Sequence, residues 1–216
     1  MCVFPRRPGG AEGGVRRGGT SRPSLVVLNA GCGTQGVPVE RFPRPEWREL
    51  RLDADPGVTP DVVGDIRQIP LDEGTVNAVW CAHTLEHLIE RDALVALYQF
   101  RRVLVPGGAL VLRVPDLKAA AREIVEGRLV ETLYESQAGP VRPLDMVFGF
   151  QPYVPDHPLY AHRSGYTGES LSDMLGFVGF EGTVTEVEDR YELAADVHKP
   201  LGEHERHREQ PFATAG

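Results

Sequence analysis

Residues 25–36, LVVLNAGCGTQG, constrain the fold of this chain more than any other stretch. Leu25, Val26, Val27 and Leu28 form a short apolar run that reads as a strand buried on both faces. The run leads directly into Gly31, Gly33 and Gly36. Glycine opens backbone angles closed to other residues and puts no side chain between the main chain and a ligand. In an open α/β sheet, a strand ending in such a loop is a seat for a nucleotide-like ligand. The spacing Gly31-x-Gly33-x-x-Gly36 fits the dinucleotide fingerprint, but a chain with 24 glycines meets such a pattern by chance as well, so the rest of the sequence has to decide.

Length and charge narrow the choice. A chain of 216 residues suits one α/β domain with a sizeable core. Its net charge of −8 argues against tight nucleic-acid binding, which depends on neutralising phosphates. Cys2, Cys32 and Cys81 lie far apart, so neither a disulfide framework nor a cysteine-based zinc site is expected, and a cytoplasmic location fits. No apolar run approaches the roughly 20 residues that span a bilayer, and no apolar signal block opens the chain. Residues 1–24 hold five arginines and one glutamate among many glycines, which predicts a disordered tail, either inert or a tether for an acidic partner. Residues 200–216, with His204 and His207, read as a polar C-terminal tail. The folded domain is expected over 25–199.

Along that domain, Pro38, Pro43 and Pro45 rule out a long first crossover helix. A second strand ends at Asp53, twenty residues past Gly33, where an acidic side chain would accept from ribose hydroxyls. Asp55 starts a turn with Pro56 and Gly57. A third strand ends before Gly64-Asp65-Ile66, and a fourth over 76–81 runs into His83-Thr84-Leu85-Glu86-His87. A helix is predicted from Asp92 as N-cap to a turn at Pro106-Gly107-Gly108, followed by a fifth strand over 110–114. An amphipathic helix is predicted over 117–137 with Gly127 as a weak point, then a helix capped by Thr167 and two closing strands, 182–188 and 191–198.

Four landmarks in order, Leu28-Asn29-Ala30-Gly31-Cys32-Gly33, Leu52-Asp53-Ala54-Asp55, Gly64-Asp65-Ile66 and Arg102 through Gly108, resemble a class I S-adenosylmethionine-dependent methyltransferase of the small stand-alone type 11-like family. The block Ala82 to Leu88 and the close from Gly165 to Phe180 are similar to that family too. The resemblance covers about residues 25–199. It implies an α/β, Rossmann-like, doubly wound, seven-stranded and mostly parallel sheet with a reversed final strand. S-adenosylmethionine is the implied cofactor. The resemblance brings the backbone at Ala30, Gly31 and Gly33 close to the methionine part and ribose, and Asp53 to the ribose hydroxyls. Asp65 accepts from the adenine amino group, the Ile66 amide meets the ring, and His83 borders the methyl-transfer position. For Asp65 a turn cap is the rival reading.

The string from His83 to His87 also matches H-x-x-E-H, an inverted zinc-protease motif. That motif needs both histidines inside a long helix, whereas a strand ends just before His83, so no metal is expected and Glu86 and His87 read as packing, capping or pocket-edge residues. Residues 138–164, with five prolines and the aromatic and histidine set Phe148, Phe150, Tyr153, His157, Tyr160 and His162, read as a lid, the substrate insert extending to about 166. The alternative is a structural insert packed on the sheet edge. If the acceptor needs a general base, His83, His157 and His162 are the candidates, unranked. The expected acceptor is a small molecule or a sugar- or lipid-linked precursor, with no nucleic acid and no membrane involved. A nicotinamide-dependent oxidoreductase would use the same glycines, but no Tyr-x-x-x-Lys pair is present; a non-catalytic cofactor-binding relative is the other alternative.

Overall fold

The computed structural model describes residues 25–202. The tails expected at 1–24 and beyond Gly202 lie outside the described residues. In chain order the elements are β1 (Leu25–Ala30), β2 (Trp47–Asp53), β3 (Val62–Val63), β4 (Val76–Ala82), α1 (Glu90–Val103), β5 (Leu104–Pro115), α2 (Leu117–Val125), β6 (Tyr134–Ser136), β7 (Gly139–Val141), α3 (Pro143–Phe148), α4 (Gly168–Val178), β8 (Glu181–Val187) and β9 (Glu192–His198). Seven strands form one sheet in the order β3-β2-β1-β4-β5-β9-β8, and β6 with β7 makes a separate small hairpin. The first five strands of the sheet run parallel; β9 is inserted antiparallel to both β5 and β8. The mostly parallel sheet with a reversed final strand is therefore the one the sequence predicts. The strand order turns back between β1 and β4, and in such sheets the crevice beyond the strand ends at that reversal takes the ligand.

Successive residues of a strand face opposite sides, and the two sides here are covered differently. Leu28, Val79, Leu110, Leu112 and Leu193 face the main core, closed by Leu97 and Phe100 of α1 and Leu171 and Leu175 of α4. Val27, Ala78 and Val111 face the other way, under Phe42. Phe42 sits in the proline-rich crossover between β1 and β2, which holds no helix; its ring lies edge-on to Trp47 at 5.1 Å and to Trp80 at 6.4 Å. Burying this one ring contributes roughly 1.5–3 kcal/mol.

Three local expectations change. α1 begins at Glu90 with no side-chain cap, because Asp92 is drawn instead to the Arg67 guanidinium at 2.7 Å. Its inward face is Ala93, Ala96, Leu97, Phe100 and Val103, while Tyr98 is exposed. Pro106-Gly107-Gly108 does not separate α1 from β5: β5 already starts at Leu104 and carries the bend as a bulge, with Gly107 at φ +73 and a register shift opposite Val76 and Ala78. α2 stops at Val125 rather than near 137, with Gly127 at φ +85 just past its end, so the glycine terminates the helix instead of weakening its middle.

Candidate active site

The glycine loop is held from the β2 side. The Gly31 and Cys32 amides both donate to the Leu52 carbonyl, at 2.9 and 3.1 Å, and the Arg51 guanidinium donates to the Gly33 carbonyl at 2.6 Å. The Gly33 amide donates to Asp53 Oδ2 at 2.8 Å, and the Asp55 amide to Asp53 Oδ1 at 2.9 Å. A carboxylate has about four acceptor positions, so Asp53 keeps roughly two for a ligand. Gly31 and Gly33 both stand at positive φ, +69 and +48, yet their surroundings differ. A Cβ at Gly31 would lie 2.4 Å from the Thr84 side chain, whereas one at Gly33 would meet nothing within 4 Å. Gly31 is thus packed against protein and Gly33 faces open space beside Asp53. This is a fit for a ribose-bearing ligand laid against the backbone. Ala30, fully buried, ends β1 directly behind the loop.

Asp65 is spent on its own surroundings. Its carboxylate accepts from the Arg67 amide at 2.8 Å and from the Arg67 guanidinium at 2.5–3.0 Å, and that side-chain bond holds its pKa below the usual carboxylate value. This is the turn-cap arrangement the sequence allowed as the rival. Ile66 beside it is buried at the edge of the main core.

His83 follows β4 at φ +50, uncommon for a residue with a side chain, and its amide donates to the Arg113 carbonyl at 2.9 Å. Its imidazole stands between two carboxylates: Nε2 is 3.3 Å from Glu192 Oε1, and Nδ1 is 3.5 Å from Glu86 Oε1. Burial disfavours the charged ring, but the two carboxylates outweigh it and raise the pKa to about 10. His83 is therefore a cation at neutral pH.

Glu86 is 1% exposed, in a single turn of 3-10 helix spanning Leu85–His87. Its carbonyl accepts from the Arg163 amide at 2.8 Å and the Ser164 amide at 3.1 Å, which stitches the 138–164 segment to the end of β4. His162 Nδ1 is 2.8 Å from the Met146 carbonyl, and burial lowers its pKa. The His87 and His162 rings lie 5.1 Å apart, and Tyr160 meets His87 edge-on at 6.0 Å. A cleft of about 240 Å³ opens here, lined by Glu86, Pro115, Met146, Phe148, His162 and Ser164. The structure thus brings His83, Glu86, His87 and His162 together; His157 is exposed, 5.7 Å from Tyr160 and outside the group. Thr84, which packs on Gly31, and Arg51, which anchors Gly33, were not singled out from the sequence, because Thr84 fills a variable position of the H-x-x-E-H string and Arg51 belongs to no spaced motif.

Residues 28–112 match the family described as a methyltransferase domain, a span that holds the glycine loop, Asp53, Asp65 and His83. A crystal structure of an S-adenosylmethionine-dependent methyltransferase from Aquifex aeolicus is similar over 81% of this chain and 82% of its own, at 17% identity and a TM-score of 0.52. The Burkholderia thailandensis 1,6-didemethyltoxoflavin-N1-methyltransferase, solved with S-adenosylhomocysteine, is similar over 82% of this chain and 72% of its own, at 16% identity and a TM-score of 0.50. An uncharacterized 37.1 kDa protein in transposon TN4556 of Streptomyces fradiae is 30% identical over 112 residues, 44% of this chain, and the matched part spans about a third of that relative (32%). Part of the chain thus matches a methyltransferase-domain family, and its fold is shared with solved S-adenosylmethionine-dependent methyltransferases. Among the described residues no helix is long and apolar enough to cross a membrane.

Proposed function

We propose that this protein transfers a methyl group from S-adenosylmethionine to an oxygen or nitrogen of a small molecule or a sugar- or lipid-linked precursor. The observation that carries the reading is the pairing of Asp53 with the open Gly33: a carboxylate oriented by two backbone amides, beside main chain with free space over it. In this reading Asp53 accepts from the ribose hydroxyls, Ala30, Gly31 and Gly33 lie along the cofactor, and Ile66 borders the adenine. Asp65 contributes there only by sharing its carboxylate with Arg67. When bound, the cofactor supplies an electrophilic methyl group on sulfonium. The chain's own residues then have to hold a nucleophile in line and exclude water, and orientation alone accounts for up to roughly 7–11 kcal/mol of a barrier.

The segment 138–164 forms the acceptor side of the pocket. It reaches the end of β4 through the two amide bonds to Glu86, and it brings Phe148 and His162 to the cleft. His83, positively charged at neutral pH, favours an acceptor with negative or polarised oxygen and is unsuited to removing a proton. Any base role falls to His162, whose lowered pKa keeps it neutral, or to His157.

Thermal unfolding with a ligand panel tests the cofactor. A ligand at a hundredfold excess over its Kd stabilises by about 2.7 kcal/mol, and each kcal/mol moves the midpoint of a domain this size by roughly 2–4 °C. S-adenosylmethionine or S-adenosylhomocysteine should raise the midpoint by about 5–11 °C. A nicotinamide dinucleotide should leave it unchanged. A shift with the dinucleotide alone would overturn the assignment, and radiolabelled methyl transfer to an acceptor library would identify the substrate.

A further inference from the structure

We propose that Glu86, His87 and His162 bind one divalent transition-metal ion at the floor of the acceptor cleft. The sequence-based argument against a metal concerned two histidines on one helix, His83 and His87. The fold supplies a different set, joining Glu86 and His87 to His162 from a segment 75 residues further on. One ligand atom from each of the three lies within 4.8 Å of the others. Ligands of a single ion at 2.0–2.2 Å stand roughly 3–3.5 Å apart, so the pairs have to close by at most about 1.3–1.8 Å.

Three observations point to a cation rather than to ordinary packing. First, Glu86 is fully buried, and neither of its carboxylate oxygens has a hydrogen-bond partner among the described residues; the nearest counter-charge is His83 Nδ1, at 3.5 Å. Buried carboxylates persist where they are paired or bind metals, and His83 meets only the Oε1 side of Glu86, leaving Oε2 without a hydrogen-bond partner. Second, both histidines have a backbone carbonyl at Nδ1. His162 Nδ1 donates to the Met146 carbonyl at 2.8 Å, and His87 Nδ1 faces the Ala161 carbonyl at 3.4 Å, leaving Nε2 of each ring as the free lone pair. Such backbone carbonyls behind the imidazole are the usual outer support of a metal-bound histidine. Third, the cleft opens over Glu86 and His162, so an ion with three protein ligands would keep positions facing it.

Two imidazoles and a carboxylate suit zinc, iron(II), manganese or cobalt better than calcium or magnesium. In the context of methyl transfer, a step that rests on the function proposed above, the open positions would take an oxygen of the acceptor. The ion would then orient a hydroxyl, phenol or carboxylate group, and His162 would act as a ligand in place of a base.

The test uses the full chain, stripped with a chelator and titrated with Zn²⁺ and separately with Mn²⁺, with bound metal counted by elemental analysis. Each preparation is also titrated with S-adenosylhomocysteine, so that failure of the metal site and failure of the methyltransferase reading are told apart. The expected result is one ion per chain, with affinity reduced at least about 10–100-fold in His87→Ala, His162→Ala and Glu86→Gln. S-adenosylhomocysteine binding should remain in all three. His204→Ala with His207→Ala should leave metal binding unchanged. X-ray absorption on the zinc-loaded wild-type protein covers variants that fail to fold: two imidazole nitrogens with oxygen ligands and no sulfur are expected. Substoichiometric binding, equal binding by the three ligand variants, loss of binding in the tail variant, or a sulfur shell would each overturn the proposal.

Discussion

Gly31 and Gly33 sit two residues apart in one loop, and alanine at each should produce opposite patterns. Both have left-handed backbone angles, which cost an L-residue roughly 1–2 kcal/mol. At Gly33 that is the whole structural cost, since a Cβ there meets nothing within 4 Å. At Gly31 the new methyl would lie 2.4 Å from both Cγ2 and Oγ1 of Thr84, adding an overpacking cost of about 1–3 kcal/mol. For a domain of this size Gly33→Ala should lower the midpoint by roughly 2–8 °C, and Gly31→Ala by about twice as much. Cofactor binding should follow the reverse order of directness. If the ligand lies against Gly33, a methyl group there intrudes on its space, and S-adenosylhomocysteine should bind more than about tenfold more weakly, a loss above about 1.4 kcal/mol. Thermal unfolding and calorimetric titration of both variants give the two axes. The additional variant Thr84→Ala in the Gly31→Ala background should return part of the stability. A Gly33→Ala protein that binds the ligand within twofold of wild type would mean that the cofactor does not pass over Gly33. A Gly31→Ala protein as stable as the parent would show that Thr84 does not close that side of the loop.

Two further substitutions test the carboxylates that organise the two halves of the site. Asp53→Asn loses the charge and turns an NH₂ toward either the Gly33 or the Asp55 amide, so affinity for S-adenosylhomocysteine should fall about 10–150-fold, the worth of 1.5–3 kcal/mol for a charge-assisted bond; calorimetry giving an unchanged Kd would move the ribose contact elsewhere. Asp145 is buried and accepts from the Arg142 amide and guanidinium and from the Gln151 amide, and although burial alone would raise its pKa these bonds hold it below the ordinary value. Its contribution is therefore present above the unfolded-state pKa of about 3.9 and is lost as pH falls through the lower folded-state value. Asp145→Asn should abolish that acid-side loss and open the segment around α3 at neutral pH, at a cost of about 1.5–3 kcal/mol, seen as faster amide exchange there; equal exchange in mutant and parent would refute it.

The sheet was legible because its strands are bounded by strong punctuation. Gly31 and Gly33 end β1, Asp53 ends β2, Pro70 to Gly74 precede β4, and Pro115 ends β5. Where punctuation and packing compete, packing decided. Asp92 has the chemistry of an N-cap, but the Arg67 guanidinium within reach holds it, and the N-cap falls three residues earlier, at Ile89. The pair Gly107-Gly108 reads as a turn in any local window. Only the partner strand, with its shifted register opposite Val76 and Ala78, shows that β5 starts before the bend and carries it as a bulge, with Gly107 at φ +73. Asp65 was ambiguous in sequence for a similar reason: a carboxylate two residues before an arginine can cap its turn or reach a ligand, and the geometry at Arg67 settles how much of it is already used.

The acceptor side was less legible because its residues come together only through the fold. The sequence places His83, Glu86 and His87 in one pentapeptide, but periodicity cannot tell which of them turn inward after a strand. The backbone answers through two unequal contacts. Thr84 is pulled against Gly31, so the short 3-10 turn that follows drives Glu86 inward to full burial and leaves His83 between Glu86 and Glu192. The 138–164 segment then has to satisfy the Glu86 carbonyl through the Arg163 and Ser164 amides, and that docking is what carries His162 to within 5.1 Å of His87. Composition alone made this segment a lid or a passive insert. Its anchoring distinguishes it from a loose flap, because Asp145 within α3 is buried and bonded to Arg142 and Gln151, and the far end is bonded to the 3-10 turn that follows β4. The glycine loop and the cleft are thus joined through five consecutive residues, from Thr84 on Gly31 to Leu88, so substitutions in the cleft are read against cofactor binding as well as metal binding. For that reason each metal titration and each cofactor titration is informative only when run on the same preparation.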